Sequence, residues 1–152
     1  MTPLSANMLE LVESARSART HAHAPYSGYA VGAAVRLTSG DILTGANFEN
    51  ASYGLSLCAE AAVLAAANSA GHLAEVIEIA VVGGAIDDSE SPIITPCGRC
   101  RQIIAEVQSV AGRAIGITCA QPKGAAWANY TLEELLPHAF APAHLSRAKE
   151  DN

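Results

Sequence analysis

The sequence predicts an α/β fold in which one sheet is covered by helices on both faces. Three observations carry this reading. A helical pattern opens the chain, two strand patterns joined by a short turn follow, and helical and strand patterns alternate from there on. The chain has 152 residues, half of them hydrophobic, which suits one compact core. The division expected is a single domain over 1–140 and a polar tail over 141–152.

Each element has a local reason. Thr2-Pro3 opens the first helix, with proline in the first turn. Leu4, Met8, Leu11, Val12 and Ala15 recur at helical spacing, and His21-Ala22-His23-Ala24-Pro25 ends the run. Tyr26-Ser27-Gly28 is a turn. Tyr29, Val31, Ala33, Val35 and Leu37 then alternate, the period of a half-buried strand. Ser39-Gly40-Asp41 turns the chain into a second strand over 42–48. A polar loop over 50–56 leads to an Ala-rich helix over 57–70, closed by Gly71. Residues 76–82 are a short apolar run, a buried strand followed by Gly83-Gly84. An acidic loop over 85–95 precedes Pro96 and a helix running to Gln108. Residues 115–119 predict another strand, and 121–129 are irregular with room for a short one. Thr131-Leu132-Glu133-Glu134 has the form of a capping box on a short helix, stopped by Pro137.

Composition excludes several function classes. Charged residues are 16%, too few for a disordered chain. Lysine and arginine total nine, never cluster, and leave a net charge of −6, so no basic face exists to grip a nucleic acid. A small neutral nucleoside remains a possible ligand. The longest apolar stretch, over 55–67, is interrupted by Ser56 and Glu60, which argues against a membrane span. The N-terminus lacks a basic segment followed by an apolar one, so the expected location is the cytoplasm. The four cysteines, Cys58, Cys97, Cys100 and Cys119, read there as metal or catalytic chemistry rather than as disulfides.

The strongest signal combines Cys58-Ala59-Glu60 with Pro96-Cys97-Gly98-Arg99-Cys100. Alone, each half is weak. Together they place three thiols at the starts of two helices, where the helix dipole favours the thiolate that binds metal. Cys97 and Cys100 are three residues apart and share a helix face. Three thiolates leave one position of a tetrahedral zinc open, as catalytic sites do, and a water there is acidified towards neutral pH. Glu60, two residues from a ligand, is the candidate to move protons. A structural zinc module would need a fourth ligand, such as Cys119 or a histidine, and would give Glu60 no task. A redox pair of Cys97 and Cys100 would leave Cys58 unexplained.

This pattern is a signature of zinc nucleobase deaminases. From about Ala24 to Phe140 the chain resembles the small homotetrameric cytidine deaminases. The resemblance is carried by Pro25-Tyr26-Ser27-Gly28-Tyr29, Val31-Gly32-Ala33-Ala34, Asn47-Phe48-Glu49-Asn50-Ala51-Ser52-Tyr53-Gly54, Cys58-Ala59-Glu60, Pro96-Cys97-Gly98-Arg99-Cys100-Arg101-Gln102 and Glu134-Leu135-Leu136-Pro137. It implies a three-layer α/β/α subunit with a five-stranded mixed sheet, a Zn2+ cofactor, and hydrolysis of cytidine and deoxycytidine to uridine and deoxyuridine plus ammonia, a step of pyrimidine salvage. It further implies that Asn47 and Glu49 bind the ribose and that Tyr29 packs on the pyrimidine. Ala59 and Thr95 or Pro96 would offer backbone groups to the base. Ala51 and Tyr53 would reach an adjacent active site, and Phe140 would close a neighbouring subunit's pocket in a homotetramer.

The remaining candidates have plainer roles. His21, His23, His72, His138 and His144 lack ligand-like spacing, Cys119 reads as an inert core thiol, and Trp127 as a packing or interface residue. One departure stands out. The family pattern continues Cys-Ala-Glu with arginine, which hydrogen-bonds the thiolates, whereas this chain has Ala61. Arg99 or Arg101 is the expected substitute. Deaminases of blasticidin S share the Cys-Gly-Arg-Cys-Arg-Gln run and are the competing enzymatic reading.

Overall fold

The computed structural model describes residues 4–87 and 91–145. Residues 1–3, the middle of the acidic loop at 88–90 and the tail beyond 145 lie outside the described residues; the first helix, expected to open at Thr2-Pro3, begins instead at Ala6, because Ser5 is extended and caps it. Helix α1 (Ala6–Arg19) is capped by Ser5, whose hydroxyl accepts the Met8 N–H at 3.3 Å. Strands β1 (Tyr29–Leu37) and β2 (Ile42–Ala46) form the predicted hairpin. Then come α2 (Ala59–Ser69), β3 (Val76–Ala85), α3 (Gly98–Ala111), β4 (Gly116–Ala120), β5 (Trp127–Tyr130) and α4 (Leu132–Leu135).

The sheet is mixed and five-stranded, in the order β2-β1-β3-β4-β5. Only β3 and β4 pair in parallel, across the α3 crossover; every other neighbouring pair is antiparallel. One face packs on α2 and α3 through Val35, Val81 and Ile117 against Val63, Leu64, Ile104 and Val107. The other packs on α1 through Ala34, Ala80, Val82 and Ala120 against Leu11, Val12 and Ala15. The α/β/α expectation therefore holds.

Several details differ from the sequence reading, each for a physical reason. The alternation in β1 does not separate core from solvent, because β1 lies between β2 and β3 and is buried along most of its length. It separates a large-residue face under α2 and α3 from a small-residue face under α1. Gly32 belongs to the small face: a Cβ there would lie 2.0 Å from the Ala15 carbonyl oxygen and 2.4 Å from the Arg19 nitrogen. Gly83-Gly84 does not end β3 but pairs within it, opposite Val31 and Ala30. Glycine is needed there because Ile94 and Ser91 fold over the strand, at 2.3 and 2.4 Å from the Cβ positions. Strand β2 stops at Ala46 rather than at Phe48, which instead makes isolated bridges to His23 and Leu57. Helix α3 runs three residues past Gln108 and ends at Gly112 with φ 64°. The capping box on α4 forms in both directions, Thr131 Oγ1 accepting the Glu134 N–H and Glu134 Oε2 accepting the Thr131 N–H.

Two arginines fasten α1 to the sheet. Arg19 donates to the carbonyls of Ala30, Gly84 and Ala85 at 2.9–3.0 Å. Arg36, 8% exposed, pairs with Glu10 and Glu78 at 3.2 and 3.3 Å. A buried guanidinium needs such partners to offset its desolvation.

The close approach at Gly32 makes a direct prediction. Gly32→Ala should push α1 off the sheet and lower stability by about 1–3 kcal/mol, a melt several degrees lower for a chain of this size. Gly54→Ala, where nothing lies within 4 Å of the added Cβ, should melt with the parent. Equal melting curves for Gly32→Ala and the parent would show that α1 does not need this contact.

Candidate active site and metal centre

Strand direction builds the site. Strands β2 and β3 flank β1 and both run antiparallel to it, so they point the same way. The helices that follow them, α2 and α3, start at the same end of the sheet and pack on the same face. Cys58 is the N-cap of α2 and Cys97 the N-cap of α3. Cys100, one turn into α3, is fully buried. The Sγ atoms of Cys58, Cys97 and Cys100 all lie within 4.8 Å of one another, with Cys58 and Cys97 3.8 Å apart. Among the described residues no histidine joins this group, and neither does Cys119.

Glu60 lies in the first turn of α2 and is 4% exposed. Burial pushes its carboxyl above the usual range, against the pull of its own backbone N–H and the Cys100 thiol. Burial also raises the Cys58 thiol, and the charges of Cys97 and Glu60 add to it, with only Cys100 opposing. Cys100 is raised by burial and by the charges of Glu60, Cys58 and Cys97. Cys97 differs: burial raises it, but the Cys100 backbone N–H and the Cys100 and Cys58 thiols outweigh that and hold it below the ordinary value. Three thiols and a carboxyl thus crowd a half-buried spot where they oppose one another's ionisation. A divalent cation resolves that conflict, and an all-sulfur set of three suits zinc. Cys119, buried and pushed up to about 12, first by burial and then by Glu60, stays an inert thiol.

A second set of polar groups faces the same space. Phe48 and Leu57 exchange backbone hydrogen bonds at 3.0 and 2.8 Å, closing the 48–57 loop. That bridge sets Asn47 and Glu49 beside Cys58. Asn47 clamps β1: Oδ1 accepts the Val31 N–H at 2.8 Å and Nδ2 donates to the Tyr29 carbonyl at 2.9 Å. Glu49 accepts the backbone N–H groups of Tyr26 and Ser27 and the Ser27 hydroxyl. The result is a cavity of about 330 Å³ lined by Tyr29, Val31, Asn47, Glu49, Ser56, Leu57, Cys58, Ala59, Glu60, Ile94, Thr95 and Cys97.

The expected stand-ins for the missing arginine are engaged elsewhere. Arg101 donates to the carbonyls of Pro96 and Leu135 at 2.7 and 2.8 Å and to Thr95 Oγ1 at 2.9 Å. It therefore braces the loop beside the cavity from behind. Arg99 is exposed and reaches the Ser56 carbonyl at 3.5 Å. Neither guanidinium hydrogen-bonds a thiol. Ala61 lines a groove of about 540 Å³ between α2 and α3, together with Arg99, Leu64 and Ile103.

The structure gathers most of the predicted site residues. Tyr29, Asn47, Glu49, Cys58, Ala59, Glu60, Thr95 and Cys97 share one cavity, and Cys100 completes the thiol group. Tyr53 lines an adjoining recess of about 280 Å³ with Tyr26, Ser27, Glu49 and Ser56. Ala51 and Phe140 line neither. Phe140 is held through its backbone, which donates to and accepts from the Gln102 amide at 3.2 and 2.7 Å. Sequence reasoning missed Ile94, Ser56 and Ser27. Ser27 lay in a recognised turn motif, but Ile94 enters only because Gly83 makes room for it.

A three-thiol cluster at two helix starts, on an α/β/α sheet and beside a buried carboxyl, defines a zinc-site architecture. The profile of the cytidine and deoxycytidylate deaminase zinc-binding region matches residues 6–114, and the chain belongs to this family. The cytidine deaminase of Halalkalibacterium halodurans is 46% identical over 97 residues, 64% of this chain and 69% of that protein. That of Sporosarcina psychrophila is 36% identical over 141 residues, 93% of this chain and 96% of its own. The crystal structure of the cytidine deaminase from Burkholderia pseudomallei matches with a TM-score of 0.76 at 38% identity, covering 90% of this chain and 100% of that one.

Metal content follows from the thiol group. Protein purified without chelator should hold about one zinc per chain. Replacing Cys58, Cys97 or Cys100 by alanine should abolish it, whereas Cys119→Ala should keep it. Equal zinc loss in Cys119→Ala, measured by elemental analysis, would point to a closed four-sulfur site instead.

Proposed function

We propose that this chain hydrolyses the exocyclic amine of cytidine and deoxycytidine, giving uridine or deoxyuridine and ammonia. The observation that carries the reading is one cavity lined by Asn47, Glu49, Glu60 and two thiols, Cys58 and Cys97, of the three-thiol group. Cys58, Cys97 and Cys100 would hold the zinc, and its chemistry there would be to lower the pKa of a water towards neutral. Everything else falls to the protein. Glu60 would take one proton from the attacking water and pass it to the ring nitrogen as the oxygen bonds to the amine-bearing carbon, then carry the second proton from the new hydroxyl to the amine as the C–N bond breaks. A carboxyl raised by burial suits this work, because it must both accept and release a proton near neutral pH. Ala59 and Thr95 line the walls where the base would lie, with Tyr29 as the aromatic surface. Asn47 and Glu49 between them offer the donor and acceptor that a sugar hydroxyl requires.

The charge of the cavity favours a nucleoside over a nucleotide. None of its described lining residues is lysine or arginine, and Glu49 is acidic. A phosphate carries about −1.5 to −2 at neutral pH and calls for cationic or multiple N–H partners.

The unit proposed is one domain over 1–140, cytoplasmic, assembled as a homotetramer. Four cysteines without disulfides fit a reducing compartment. No helix among the described residues is long and apolar enough to cross a membrane. Tyr53, Leu55 and Phe140 are 73%, 65% and 56% exposed, apolar surface that subunit contacts would cover. Ala51, Tyr53 and Phe140 are the residues proposed to act across those contacts.

Cytidine turnover, followed by the release of ammonia, tests the reading. Glu60→Gln should keep zinc and fold while losing roughly 10²–10⁴-fold in turnover; near-normal activity would remove Glu60 from the mechanism. Sedimentation at assay concentration should give four chains, and a fully active monomer would defeat the shared-site assembly.

A further inference from the structure

The turn at Tyr26-Ser27-Gly28 does more than link α1 to β1. The Ser27 hydroxyl donates to Glu49 Oε1 and accepts the Tyr29 backbone N–H at 3.0 Å. Glu49 Oε2 accepts the backbone N–H groups of Tyr26 and Ser27 at 3.0 and 3.2 Å. An ionised carboxylate offers about four acceptor positions. The turn occupies three, and the one left is on Oε1, the oxygen that Ser27 holds. Asn47 is similarly half spent on β1, with one Nδ2–H remaining. One acceptor on Glu49 and one donor on Asn47 are the complement of one hydroxyl group.

We infer that Ser27 is a positioning residue: its hydroxyl fixes Glu49 Oε1 so that the remaining acceptor position meets a sugar hydroxyl of the substrate. The inference rests on the nucleoside reading above. Without the Ser27 hydroxyl, Oε1 has no hydrogen-bond partner among the described residues, and the two N–H groups hold only Oε2. The same hydroxyl ties the carboxylate to the backbone of Tyr29, whose ring lines the cavity. The Glu49 carboxyl lies below its usual range, first because of the Ser27 hydroxyl and then, against burial, the Tyr26 and Ser27 N–H groups and the charge of His23.

The test compares two substrates. Ser27→Ala is assayed on cytidine and on 2′,3′-dideoxycytidine, which lacks both ring hydroxyls. The expected result is a loss of about tenfold in kcat/KM for cytidine, mostly in KM, the size of one hydrogen bond to a charged group. For the dideoxy compound, kcat/KM should stay within about twofold of the parent. Where its turnover is too slow to follow, its inhibition constant against cytidine serves instead. Ser27→Thr, which keeps the hydroxyl, should restore cytidine turnover, and zinc content should match the parent throughout. Equal loss on both substrates would make Ser27 a structural turn residue and overturn the inference. So would an unchanged kcat/KM for cytidine. A parent chain that does not deaminate cytidine brings down the functional reading, and this inference with it. In an active parent, the Ser27 variants alone decide.

Discussion

Strand β1 runs antiparallel to both of its neighbours, and the site exists because of that. Two strands that flank a common antiparallel partner must point the same way. Each of them, β2 and β3, is followed by a helix on the same face. Two helix starts are thereby delivered to one end of the sheet, with Cys58 and Cys97 at their caps. The same geometry brings the first residue of β1, Tyr29, to that end, together with the residues just past β2. The three thiols, Glu60, Asn47 and Glu49 are neighbours because three strand ends coincide.

That convergence concentrates negative charge. Helix N-termini favour anions, yet the half-buried surroundings raise Cys58, Cys100 and Glu60 above their ordinary values. The dipoles of two helices do not cancel the mutual repulsion of three thiolates and a carboxylate. A cation at the centre changes the balance, since ligation favours the thiolates outright. The resemblance drawn from the sequence implies a positive charge after the glutamate, and Ala61 does not supply it. Arg101 does not replace it, because its donors are spent on Pro96, Leu135 and Thr95. Its charge is felt instead by Cys119, which it lowers against burial. Within the cluster, the Cys100 backbone N–H is among the groups that favour the Cys97 thiolate.

Much of this was legible in the sequence, and the illegible part has a common cause. The helices, the first hairpin and the α4 capping box follow from local rules and all form, with the ends shifted: α1 starts at Ala6, α2 at Ala59 rather than Leu57, and α3 ends at Ala111. The thiol group was readable because helix-start positions and a three-residue spacing imply a shared face before any fold is known. What the residues alone could not supply was the approach of segments distant in sequence. Gly83-Gly84 has the form of a chain break, but its purpose is to admit Ile94 and Ser91. Gly32 sits in an unremarkable small-residue run, and only the packed α1 backbone explains it. Arg101 stands next to a ligand in sequence, yet its guanidinium turns away towards Leu135. Phe48 continues the pattern of β2 but leaves the sheet, because its partners are His23 and Leu57.

The Phe48–Leu57 bridge also sets how the two halves of the cavity relate. Asn47 and Glu49 flank Phe48, while Cys58 and Glu60 follow Leu57, so two backbone hydrogen bonds hold the first pair against the second. The intervening loop is free of that duty and presents Tyr53 and Leu55 outward. A loop anchored at both ends but apolar at its tip gains by being covered, since exposed apolar area is what association removes from water. The thiols, Glu60, Asn47 and Glu49 thus meet within one chain, while Tyr53 and Leu55 stand exposed at the rim. The rim is joined to the cavity through Ser56, whose N–H donates to the Tyr53 carbonyl and whose own carbonyl faces Arg99.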